Sequence, residues 1–123
     1  MSVQAYVKAR AYAETPRMSE LRLIAEVTHE LVAAAEQRLT GGALMAPLHR
    51  NREMWALFAT MCADDANQLP PELRARIISL GLWVDRHTSA VMRGEGDIDS
   101  LIEVNRTIME GLTEQPGAPG HPN

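Results

Sequence analysis

The sequence predicts an all-α protein, a small bundle of about five helices packed mainly up-and-down and antiparallel. Two observations predict it. Apolar residues recur at three- and four-residue spacing along nearly the whole chain, while β-branched runs alternating with a period of two are missing. Aromatic residues make up only 4 % of the 123 residues, so Leu, Ile, Val, Ala and seven Met must fill the interior, which suits helix-on-helix packing. Apolar content of 46 % is ample for one core, expected within a single helical domain over residues 1–114. Residues 115–123 carry Pro116, Pro119 and Pro122 among glycines and read as a disordered tail.

The elements follow in order. Residues 2–13 form a short first segment with Val3, Tyr6 and Val7 on one side and Tyr12 on another. Thr15-Pro16 reads as an N-cap followed by proline at the first helical position. It opens a second helix whose stripe is Leu21, Ile24, Val27, Thr28, Leu31, Val32 and Ala35, and which Gly41-Gly42 is expected to end. The third helix, residues 44–65, carries Leu48, Trp55, Phe58, Met61 and Cys62. Proline is tolerated only near a first turn, so Pro47 is a candidate for its start. Leu69-Pro70-Pro71 opens a fourth helix that continues to Met92 and stops at Gly94-Glu95-Gly96. Asp97 or Asp99 then caps a fifth helix ending near Gly111. At about 1.5 Å per residue, the second, third and fourth helices each span roughly 30–37 Å, and short loops between equal lengths favour antiparallel neighbours.

Composition also excludes functions. Net charge is −4, and the basic residues, eleven Arg and Lys8, are dispersed among acids, so the concentrated positive stripe of a nucleic-acid binder is missing. There is no apolar run near the roughly 18 residues of a membrane span, and no charged-then-apolar leader. A single cysteine, Cys62, has no internal disulfide partner, which fits a reducing cytoplasm.

Catalytic chemistry finds little to stand on. Glu26-Val27-Thr28-His29 has the Glu-x-x-His spacing of di-iron bundles, but Ala46 stands three before His49, Val84 three before His87, and His121 lies in the tail. One half-motif reads as a solvated polar face. Cys62 follows Phe58 and Met61 on the apolar stripe, where a thiol behaves as a small hydrophobe. No phosphate loop, nucleophile elbow or zinc spacing occurs, so no enzyme activity, cofactor or metal is expected.

Two asparagines interrupt apolar stripes. Asn51 falls in the series Leu44, Leu48, Asn51, Trp55, Phe58, Cys62, and Asn105 in the series Ile98, Leu101, Ile102, Asn105, Ile108, Met109, Leu112. A buried amide needs partners. Each either pins helix register by bonding a neighbouring helix end or faces a groove and binds the backbone of an inserted peptide. The fourth helix is apolar nearly all round: six of the eight residues 77–84 are large and apolar, leaving Ser79 and Gly81. Leu73, Ile77, Leu80, Val84 and Val91 make one stripe, while Ile78, Leu82 and Trp83 point elsewhere. Such a helix is either surrounded by its own bundle or shared between core and partner, with Gly81 admitting a close crossing.

Three motifs carry a family resemblance by their order and spacing. They are Asn51-Arg52-Glu53-Met54-Trp55, then Leu69-Pro70-Pro71-Glu72-Leu73-Arg74-Ala75-Arg76-Ile77-Ile78-Ser79-Leu80-Gly81-Leu82-Trp83-Val84, then Ile102-Glu103-Val104-Asn105-Arg106-Thr107-Ile108-Met109-Glu110-Gly111-Leu112. The chain resembles the FlaF family, flagellin-synthesis regulators of alphaproteobacteria, more weakly through Tyr6 and residues 15–39. The resemblance implies a cytoplasmic flagellar assembly protein that binds flagellin as a secretion chaperone and regulates its synthesis. Flagellin's amphipathic terminal helices, uncovered before polymerisation, would be the ligand, with FlbT a further partner. The alternative is a regulator of flagellin translation acting through FlbT or on RNA, without touching flagellin. A homodimer that closes its own spare surface is a third reading. Candidate partner contacts are Tyr6, Asn51, Arg52, Ile78, Leu82, Trp83, Asn105 and Arg106.

Overall fold

In a computed structural model that describes residues 16–113, those residues form four helices, α1 (Pro16–Glu36), α2 (Gly41–Ala63), α3 (Pro71–Met92) and α4 (Asp99–Thr113). The described residues contain no strand. Four helices stand against about five expected; the expected first helix over residues 2–13, like the tail from 115 onward, lies outside the described residues.

The helices run up-down-up-down as a ring in which each touches two neighbours. α2 lies between α1 and α3, and α4 closes the ring between α3 and α1. The α2–α3 seam is the most extensive and the α3–α4 seam the sparsest. α2 and α4 face each other diagonally without close backbone contact. Antiparallel packing is pinned by cross-helix pairs. An ion pair joins Arg50 to Glu30, Arg74 of α3's first turns donates to the carbonyls of Cys62 and Asp64 at 2.8 Å each, and Asn105 meets Thr28.

The core is the sum of the inward stripes. Ile24, Val27 and Leu31 of α1, Leu48, Trp55 and Phe58 of α2, Ile77 and Val84 of α3, and Leu101 and Ile108 of α4 are all buried in one cluster. Burying such side chains stabilises by about 1.5–3 kcal/mol each relative to exposure. A Cβ built on Gly81 would lie 3.4 Å from Ala59 Cβ and 3.7 Å from the Trp55 carbonyl. The close α2–α3 crossing expected there is present, with room for a methyl but not for a longer side chain.

Two boundaries differ from expectation. Gly41-Gly42 does not end α1, which stops at Glu36 with Arg38 in the left-handed region at φ 51°. Leu39 N–H bonds the Ala34 carbonyl and Arg38 N–H the Ala35 carbonyl, at 3.0 and 3.2 Å, which is a Schellman cap. The α3 terminus repeats it with glycine: Gly94 at φ 77°, Glu95 N–H on the Ala90 carbonyl and Gly94 N–H on the Val91 carbonyl. Gly41, at φ 59°, instead opens α2, which therefore begins before Leu44 and carries Pro47 inside it. The ring removes one helical hydrogen bond, to the Ala43 carbonyl, and Ala43 is exposed, so water can satisfy it. Of the two acids proposed as the cap of α4, Asp97 is the one that acts, accepting the Ser100 N–H at 3.0 Å. The Ser100 hydroxyl first, and then that backbone bond, hold the Asp97 carboxyl below its ordinary pKa, with His87 adding a smaller pull.

Candidate partner-binding surface

The eight candidate residues separate into an interior group and a surface group; Tyr6 lies outside the described residues. Asn51 and Asn105 are fully buried, at 0 % exposure, and they bond each other rather than a helix end. Asn105 sits at the centre. Its Oδ1 accepts from Trp55 Nε1 at 2.8 Å, and its Nδ2 donates to Asn51 Oδ1 at 2.8 Å and to Thr28 Oγ1 at 3.1 Å. Thr28 passes its own proton back to the Ile24 carbonyl at 2.6 Å. One amide thus ties α4 to α1 and, across the diagonal, to α2. Three of its four hydrogen-bonding valences are used, whereas Asn51 Nδ2 is buried with no acceptor among the described residues. A donor left in that state costs about 1–3 kcal/mol. This burial supports register pinning by the pair.

Arg52 also works within the bundle. Its guanidinium donates to the Asp85 carbonyl at 2.8 Å and to Ser89 Oγ at 2.6 Å, clamping α2 to α3. Its Nε lies 3.2 Å from Asp85 Oδ1, an ion pair without hydrogen-bond geometry. Arg106 is exposed and 3.7 Å from Glu103, one turn back on α4.

The remaining three candidates share the outward half of α3. Leu82 is 58 % exposed and Trp83 36 %, while Ile78 is half-buried. Trp83 is held at the α4 side by stacking on His87, with ring centroids 4.6 Å apart and planes within 10°. His87 is fixed in turn by donating from Nε2 to the Asp97 carbonyl at 2.7 Å. Gly96 permits this approach, since a Cβ there would lie 3.1 Å from the His87 ring. Other exposed large apolar side chains are Met18, Leu57 and Met61.

Sequence reasoning passed over Arg76 and Arg86. Both are exposed on α3, and neither has an ion pair or side-chain hydrogen bond among the described residues. The available signal was their position, six residues before and four after Leu82, on a helix already apolar on its outer side.

Other features offer less. No group of three or more His, Cys, Asp or Glu among the described residues could hold a metal, and both Glu26 and His29 are exposed. An apolar recess beside Phe58, Met61, Cys62 and Ile108 has about 20 Å³ of space, the size of one water. Burial raises the Cys62 thiol pKa, Glu20 adds to the rise, and Arg74 opposes it. Among the described residues no helix is long and apolar enough to cross a membrane.

Fold and surface together define a small antiparallel bundle, of four helices among the described residues, with Leu82 and Trp83 exposed on the outer side of α3. Residues 2–112 match the family described as Flagellar protein FlaF, and the chain belongs to that family. It is a flagellar protein. No curated protein and no solved structure gives a significant match.

Proposed function

We propose that this protein binds flagellin in the cytoplasm as a secretion chaperone and, through that binding, regulates flagellin synthesis. The observation that carries the reading is an open apolar helix face on a flagellar protein: Leu82 at 58 % exposure beside Trp83, on a bundle whose inward stripes are otherwise closed. Unpolymerised flagellin has amphipathic helices whose apolar faces lack a partner, and an exposed apolar helix face offers such a helix a surface to pack against. Binding requires no catalytic group, metal or cofactor.

Light scattering coupled to size exclusion, on the full chain alone and mixed with purified flagellin monomer, tests this. A complex of defined stoichiometry is expected, together with no salt-dependent binding to flagellin messenger RNA. Absence of any complex, even with FlbT present, would overturn the chaperone reading and leave translational regulation in its place.

A further inference from the structure

We infer that the outward face of α3, Leu82 and Trp83 with Arg76 and Arg86 at its two ends, docks an amphipathic partner helix whose apolar stripe is flanked by carboxylates. This rests on the partner-binding reading above and specifies the surface and the chemistry of the ligand. Ala75, Ser79, Leu82 and Arg86 are exposed along one line of α3, and Trp83 borders that line on the α4 side. Small Ala75 and Ser79 let another helix approach, and Leu82 and Trp83 supply the knobs. Arg76 and Arg86 bracket the patch about 15 Å apart along the helix axis. Both lack a carboxylate partner among the described residues, while Arg52, Arg93 and Arg106 each have one.

The two arginines decide between occupants. Each is five residues from Gly81. A second copy crossing antiparallel about a two-fold axis at the patch centre would set Arg76 against Arg86 of that copy at both ends. Like charges meeting in a desolvated rim oppose association, so the face is poorly suited to closing on itself. A lipid surface fits less well too. Two free guanidiniums are a weak anchor on a chain of net charge −4, and exposed Asp85 and Glu72 lie on the same helix. A helix with carboxylates one to two turns on either side of its apolar stripe satisfies both arginines and covers Leu82 and Trp83 together.

The test uses the full chain and two synthetic amphipathic helical peptides of about 20 residues, with the same leucine stripe flanked by Glu in one and by Lys in the other. Fluorescence anisotropy should show the Glu peptide binding about tenfold or more tighter than the Lys peptide. Leu82→Glu should weaken the Glu peptide by about tenfold or more. The double variant Arg76→Glu/Arg86→Glu should reverse the preference between peptides, and circular dichroism should show both variants melting close to the parent. Equal affinity for the two peptides, or affinities unmoved by the α3 variants, overturns the inference. So does an affinity for anionic phosphatidylglycerol vesicles, or a dimer in sedimentation, that Leu82→Glu abolishes in place of peptide binding. The same variants titrated with flagellin monomer separate the two levels. Flagellin binding that persists in Leu82→Glu keeps the chaperone reading and removes this surface. Glu-peptide binding without flagellin binding keeps the surface and removes the chaperone reading.

Discussion

Replacing Asn105 by leucine should be far more damaging than replacing Asn51, although both are buried to the same degree and bond each other. Asn105→Leu strips the partner from Trp55 Nε1 and from Asn51 Oδ1. Each of these buried atoms then forfeits about 1–3 kcal/mol. Leucine returns about 1–2 kcal/mol through extra apolar burial. The net loss is about 1–4 kcal/mol. Thr28 suffers little, because its proton remains on the Ile24 carbonyl. Asn51→Leu loses one hydrogen bond but also removes an amide nitrogen that has no acceptor among the described residues, and Asn105 keeps Trp55 and Thr28. Its cost should be about 0–1.5 kcal/mol. In the double variant only the Trp55 N–H is stranded, so the two effects should sum to more than the double costs, by about 1 kcal/mol. Urea unfolding followed by helical circular dichroism and by tryptophan fluorescence measures all three variants. Asn51→Leu proving as costly as Asn105→Leu would refute the hydrogen-bond assignment.

Arg38→Gly should raise stability by about 0.5–1 kcal/mol, since Arg38 holds the left-handed position that glycine fills in the matching cap at Gly94. A lower urea midpoint for that variant would contradict the cap. Cys62 should resist alkylation in the native protein and react on unfolding, because burial keeps its thiol protonated. With the folded pKa above the unfolded value of about 8.5, the folded state binds more protons in that range. Stability contributed by the thiol is therefore full below pH 8.5 or so and declines as pH rises through it. Cys62→Ala should flatten this alkaline decline; an unchanged slope in urea titrations across that range would assign the decline elsewhere.

Local sequence pattern carried the class and most of the helix positions. Pro16 and Pro71 each begin a helix where proline's fixed φ and missing N–H are harmless, and Gly94 closes one where a left-handed residue is needed. Stripes of period 3.6 identified Ile24, Leu31, Trp55, Ile77, Val84 and Leu101 as interior because each helix has one buried side whatever it packs against. Pattern misplaced the α1–α2 junction because Arg38 takes a conformation that its side chain disfavours, and nothing local marks it. Partnerships were beyond it for a different reason. Periodicity gives the angle of a side chain about its own axis, but not the rotation and rise of the helix opposite. Only the assembled ring brings Asn51 and Asn105 together across 54 residues and turns Arg52 onto Asp85 and Ser89. That closure also decides which side of apolar α3 is left uncovered. α2 and α4 take its two inner flanks, and Leu82 and Trp83 stay on the outside between Arg76 and Arg86.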